Sequence, residues 1–165
     1  MAILQNKEQQ LIPTKEETDI ESLKPDELQI TIKATGICGS DVSYYQKRCN
    51  GDIRCGQGKI CLGHESSGVV SSIGAQVQGF KIGDRVALEV GVPCDSCSIC
   101  RKGRYNLCKK MRFRSSAKSD PPYQGTLQEV INHPAMWCHK YVPSPVPSDV
   151  SHTFTDINEW GSIGP

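Results

Sequence analysis

Apolar and polar positions alternate in short stretches along this chain. Leu28-Gln29-Ile30-Thr31-Ile32 alternates as a half-buried strand does. Residues 68–73, 84–88 and 126–131 are alternating or β-branched, and each lies at a glycine turn. No segment keeps a helical apolar period beyond about two turns. One short helix is expected after Cys38, through Asp41 to Gln46. Many short strands with glycine punctuation predict a closed or nearly closed β-barrel rather than a βαβ fold.

The pattern changes at Val142. Residues 142–148 hold three prolines in seven positions, which is linker chemistry. Residues 1–142 therefore read as one domain. Residues 143–165 read as a Pro-rich tail, poorly ordered or loosely docked.

The 165 residues suffice for one domain with its own core. The net charge is +1, from 19 basic and 18 acidic residues without a block of either sign, so nucleic acid and anionic membrane are not expected partners. The apolar runs are too short to span a bilayer. Residues 1–19 lack the apolar core of a secretory signal, and a cytoplasmic location is expected. Nine cysteines, an odd number without a signal, then argue for metal ligation or reactive thiols over a disulfide framework.

Cys94, Cys97, Cys100 and Cys108 give C-x2-C-x2-C-x7-C. A tight loop can bring such sulfurs to a common centre, and four thiolates around zinc leave no open position, so this site is expected to be structural. Gly91, Pro93 and Gly103 supply turns, placing a lobe at about 91–110. Two disulfides and an iron–sulfur cluster are the alternatives. The bacterial ferredoxin run places its fourth cysteine after three residues and follows it with proline; here there are seven, and Lys109 follows. The basic residues of the loop, among them Arg101, Lys102 and Lys109, either offset the thiolate charge or simply face solvent.

A second constellation joins Cys38-Gly39-Ser40-Asp41 to Gly63-His64-Glu65. Cys38, His64 and Glu65 offer sulfur, nitrogen and carboxylate oxygen, the ligand types of a catalytic zinc with a position left for water or substrate.

Gly63-His64-Glu65-x2-Gly68-x5-Gly74-x2-Val77 resembles the zinc signature of the medium-chain alcohol dehydrogenases at every fixed position, and Gly83-Asp84-Arg85-Val86 follows at that family's spacing. The resemblance runs from about Ile30 to Lys140. Arg112 to Ser116, Gln124 to Leu127 and Asn132-His133-Pro134 resemble the sorbitol, xylitol and L-arabinitol dehydrogenase branch. It implies a mainly β, GroES-like, partly open barrel with short helices and a structural zinc lobe. It also implies two zinc sites, a small polyol as substrate and NAD as hydride acceptor. Cys38, His64 and Glu65 would hold or surround the catalytic zinc, Ser40 would help pass the substrate proton, and Tyr44 would contact the polyol. Ser43 stands where simple alcohol dehydrogenases keep a relay histidine, which agrees with the polyol branch. The implied chemistry is oxidation of a sugar-alcohol hydroxyl to a ketone, through a zinc alkoxide and hydride transfer.

No G-x-G-x-x-G opens a helix after a strand; Gly56-Gln57-Gly58 begins that pattern, but Cys61 takes the third glycine position. The Rossmann domain of the family is therefore expected to be absent from these residues. Asp149-Val150-Ser151 matches the start of the family's next run, and His152 to Pro165 departs from it. The leading expectation is a catalytic-domain fragment of a zinc- and NAD-dependent polyol dehydrogenase, inactive alone and prone to self-associate or pair with a full-length relative. The alternatives are a non-enzymatic zinc-binding module or product without turnover, and a redox-sensing thiol protein. Cys49, Cys55 and Cys61 are read as ordinary loop thiols rather than a third metal site, Cys138 as buried, and His133 and His139 as surface histidines.

Overall fold

The computed structural model describes residues 1–6, 8, 10–14, 22–55, 58–118 and 122–142. The Pro-rich tail from 143 to 165 and the Gly56-Gln57 pair lie outside the described residues.

The chain opens with β1 (Ala2–Gln5) and β2 (Leu11–Thr14), followed by the long β3 (Glu27–Gly36) and helix α1 (Gly39–Lys47). Three short strands come next: β4 (Cys49–Asn50), β5 (Ile53–Arg54) and β6 (Ile60–Cys61). The second long strand, β7 (Glu65–Ile73), leads to β8 (Arg85–Leu88) and β9 (Gly91–Val92). The cysteine lobe carries α2 (Ser98–Arg101) and a 3-10 turn at Tyr105–Leu107, and β10 (Arg112–Phe113) leaves it. The described chain closes with β11 (Val130–Pro134), a 3-10 turn at Ala135–Trp137 and β12 (Cys138–Lys140).

The main sheet has the order β11-β3-β7-β8-β12, with every neighbour antiparallel. Its two edge strands are consecutive in sequence, joined only by the three-residue turn Ala135–Trp137. The sheet must therefore curl until its edges meet at that corner. They meet through the covalent chain and not through a ladder, so the barrel stays partly open. Two register irregularities in the β3–β7 ladder, at Gln29/Ile30 and Ile32/Ala34, favour the extra twist that curling needs.

The alternation read in the sequence sets the core. Leu28 and Ile30 are fully buried on β3 and pack with Val70, Val86, Leu88 and Ile131 from the neighbouring strands. Burying each such side chain contributes about 1.5–3 kcal/mol. Gly68 lets β7 approach β3: a Cβ there would lie 2.5 Å from Thr31 O.

The strand expected over 126–131 begins instead at Val130. The preceding residues spend their amides elsewhere. Gly125 N donates to Cys61 O, Thr126 N to Gly63 O and Leu127 N to Leu62 O, at 2.8–3.0 Å. This brace supports the loop that carries His64. Cys138 is buried as expected, and His139 is exposed beside Glu89. His133, expected at the surface, is fully buried. The second and fourth residues of β11, Ile131 and His133, face inward; His133 Nδ1 accepts the buried Arg114 Nε at 3.1 Å while Nε2 meets Glu89 O at 3.0 Å.

Candidate metal centres

The end of β3 and the start of β7 lie side by side, with Gly36 opposite Glu65. The chain turns after β3 into α1, whose N-cap is Cys38 in extended conformation. Asp41, on the first turn of α1, accepts the Cys38 amide through Oδ2 at 3.0 Å, which caps the helix start. Lys47 sits on the last turn, and Arg48 ends the helix in the left-handed region at φ 51°, its amide on Tyr44 O. The apolar-poor helix is anchored by two buried side chains three residues apart, Asp41 and Tyr44.

These elements bring the donor atoms of Cys38, His64 and Glu65 within 4.8 Å of one another. All three are partly exposed. His64 Nδ1 lies 3.4 Å from Asp41 Oδ1, an ion-pair contact that is not aligned as a hydrogen bond. Its Nε2 lies 3.4 Å from Ser40 Oγ. With Nδ1 turned to a carboxylate, Nε2 is the nitrogen free for a metal, as in carboxylate–histidine–metal arrangements. The absence of a side chain at Gly36 keeps room for the third donor: a Cβ there would sit 2.6 Å from Glu65 Oε2. Three donors, sulfur, imidazole and carboxylate, suit a zinc ion and leave its fourth position for water or another oxygen.

Electrostatics follow from this packing. Burial alone would lower the His64 pKa, but the adjacent Asp41 carboxylate, then Cys38, outweigh it and raise it to about 9. Cys38 is held below the usual thiol value, chiefly by Ser40. Asp41 is also held low: burial opposes ionisation, but His64 and the amides of Gly63 and Cys38 outweigh that cost.

The cysteine lobe forms a separate cluster. Sγ of Cys97 lies 3.4 Å from that of Cys100, and Sγ of Cys108 lies 3.5 Å from that of Cys94. A disulfide would require about 2.05 Å. All four sulfurs lie within 4.8 Å of one another, on the scale of the roughly 3.8 Å edges of a tetrahedral zinc–thiolate site. Cys97 caps α2, accepting the Cys100 amide. Amide and side-chain donors at Ser96, with the Cys97 amide, draw the Cys94 thiol down to about 6. Asp95 occupies a left-handed turn position at φ 52° between the first two ligands. The basic side chains of the lobe, including Arg101, Lys102 and Lys109, are exposed.

Among the described residues, those two clusters are the groups with metal-ligand geometry. Cys49, Cys55 and Cys61 do not form a third. Cys61 is fully buried in β6, and burial pushes its thiol up to about 12. Tyr44 is 3% exposed and packs against Ile60 and Leu62, its hydroxyl accepting the Ala117 amide at 3.4 Å. Its ring therefore belongs to the core beneath the site.

The sequence reading gave no role to Asp41, Arg114 or Phe113. Asp41 joins both ligand loops, since Oδ1 also takes the Gly63 amide at 2.9 Å. Its spacing, three residues after the cap, was the available signal. Arg114 is buried with no paired carboxylate among the described residues; it reaches His133, Gln124 O and Asn132 O and stacks on Tyr123 at 4.4 Å. Phe113 sets its ring edge against His64, centroids 5.5 Å apart.

An open β-barrel that carries a four-cysteine cluster and a separate Cys–His–Glu cluster defines a class of domains with two candidate metal sites. Residues 24–144 match the alcohol dehydrogenase GroES-like domain, and the chain belongs to that family. It is 46% identical over 129 residues to L-arabinitol 4-dehydrogenase of Aspergillus oryzae, covering 78% of this chain and 32% of the relative. It is 46% identical over 126 residues to probable D-xylulose reductase A of Aspergillus fumigatus, covering 76% and 34%. Among solved structures it resembles L-idonate 5-dehydrogenase of Escherichia coli, with a TM-score of 0.76 at 26% identity over 86% of this chain and 39% of that one. Galactitol-1-phosphate dehydrogenase of Escherichia coli gives 0.73 at 28% identity over 88% and 39%. The chain spans about a third of the length of the curated relatives it matches. No helix among the described residues is long and apolar enough to cross a membrane.

Proposed function

We propose that this domain holds two zinc ions and presents one of them to a sugar alcohol, whose hydroxyl is oxidised to a ketone with a nicotinamide, NAD, as hydride acceptor. The supporting observation is the convergence of three partly exposed side chains, Cys38, His64 and Glu65, within 4.8 Å. Cys38 Sγ, His64 Nε2 and the Glu65 carboxylate would hold the reactive ion; Cys94, Cys97, Cys100 and Cys108 would hold a structural one. Zinc bound at the first site supplies Lewis acidity to a hydroxyl oxygen. Ser40 Oγ, 3.4 Å from His64 Nε2, would relay the proton that leaves that hydroxyl, taking it up as its own hydroxyl proton passes on to solvent. Asp41 keeps the His64 ring oriented, and Phe113 covers one side of it. Tyr44, buried with its hydroxyl on the Ala117 amide, would support the site from beneath.

The polyol class rests on likeness to proteins named for L-arabinitol and D-xylulose. The nine free thiols fit a reducing compartment, for which we propose the cytoplasm. The 165 residues carry the metal half of the chemistry and no dinucleotide fingerprint, so the reading expects binding without turnover from them alone.

Cobalt substitution tests it. Adding L-arabinitol, xylitol or sorbitol to the cobalt-loaded chain is expected to shift the visible bands of the Cys38 site saturably. Bands unmoved by all three polyols would contradict the substrate reading. NAD reduction by the purified chain would contradict the expectation of no turnover.

A further inference from the structure

Ser115 adopts φ 63° and is 2% exposed. It is the third residue of the turn 113–116, closed by Ser116 N on Phe113 O at 3.2 Å. Positive φ at this turn position is where glycine or asparagine normally stands. A serine there keeps a sparsely populated backbone conformation that glycine would adopt without cost. The other non-glycine residues with positive φ among those described are Arg48, which ends α1, and Asp95, which turns the cysteine loop.

The Ser115 side chain accounts for the choice. Its Oγ donates to Asp41 Oδ1 at 3.2 Å. That same oxygen accepts the Gly63 amide and faces His64 Nδ1. The turn is pinned on both sides, by Arg114 N on Val90 O at 3.2 Å and Ser115 N on Tyr123 O at 2.9 Å. Two residues earlier on the same segment, Phe113 meets the His64 ring. One short segment thus touches both His64 and the carboxylate that orients it.

We infer that Ser115 is a positioning residue for the Cys38–His64–Glu65 metal site, acting through Asp41; this rests on the reading of that cluster as a metal site. By fixing Oδ1, the hydroxyl sets the plane of the carboxylate. Oδ2 then stays on the Cys38 amide and Oδ1 stays toward His64, which fixes the relative placement of two ligand loops. The strained backbone is the cost of aiming that hydroxyl inward.

The test uses the whole chain with zinc in the cysteine lobe. Cobalt affinity of the second site is measured by competition with a chromophoric chelator, with its visible bands, in wild type, Ser115→Gly, Ser115→Ala and Ser116→Ala. Melting temperatures of the same proteins are recorded. Ser115→Gly is expected to bind cobalt about tenfold more weakly with altered bands, the lower end for outer-shell partners, while melting no lower than wild type. Ser115→Ala is expected to show the same loss of affinity and carries the comparison if the glycine variant does not fold. Ser116→Ala is expected to match wild type. Wild-type affinity in both Ser115 variants overturns the inference, as does equal weakening in Ser116→Ala or a loss that merely follows the melting temperature. Wild type that takes no second cobalt ion removes the metal-site reading itself, and this inference with it.

Discussion

Asp41 Oδ2 accepts the backbone amide of Cys38 at 3.0 Å, so a buried carboxylate on α1 fixes the ligand that caps the same helix. The other oxygen reaches Gly63 and His64 on the loop before β7. Replacing Asp41 with Asn removes the charge and keeps the shape. Metal affinity of the Cys38 site is expected to fall about 10–100-fold, with the cysteine lobe unaffected. Chelator competition on the variant checks this, and an unchanged affinity would deny Asp41 an orienting role.

Zinc uptake at the Cys38 site should release a proton at neutral pH. The His64 pKa, raised to about 9 in the metal-free protein, leaves the imidazole protonated, and a metal requires it neutral. The sign for stability is opposite. Because the folded value lies above the ordinary 6.5, His64 stabilises the metal-free fold fully below pH 6.5 and loses that contribution as pH rises through about 9. Calorimetry in buffers of different ionisation heat should therefore show proton release on binding at pH 7, and His64→Gln should reduce it.

Acid acts through a different histidine. Burial, then the Arg114 charge, lowers the His133 pKa to about 3, so it stays neutral in the fold while the unfolded chain takes up a proton below about 6.5. Its contribution is present above pH 6.5 and is lost as pH falls toward 3. His133→Asn keeps an acceptor for Arg114 Nε but does not titrate there. Its melting temperature is expected to fall less steeply than that of wild type between pH 6.5 and 4.

Gly68→Ala would set a methyl group 2.5 Å from Thr31 O and 2.6 Å from Ile30 Cγ2 at the centre of the sheet. Neither neighbour can yield without moving β3. A loss of about 1–3 kcal/mol is expected from urea unfolding. Equal stability would mean that β3 and β7 can separate at little cost.

Much of this fold was legible because its core strands are half-buried. The alternation at Leu28 to Ile32 located β3, and the spacing of the four lobe cysteines matched their convergence in space. The convergence of Cys38 and His64 was legible through motif spacing. His133 was not, because no local signal marks an imidazole whose partner, Arg114, lies on another segment. The start of β11 was also missed. Residues 125–129 have strand-like composition, but their amides go to the 61–63 loop and to Met1 rather than to β3. Asp41 and Ser115 escaped for the same reason: their role lies in contacts 22 and 74 residues distant in sequence.

Metal content tests the central claim most directly. Purified wild type, His64→Ala and Cys94→Ser, each expressed with zinc and freed of loosely bound ions, are assayed for zinc per chain. Two in wild type and one in each variant is the expected result, since the two donor sets are separate. His64→Ala retaining the full wild-type content would contradict the account.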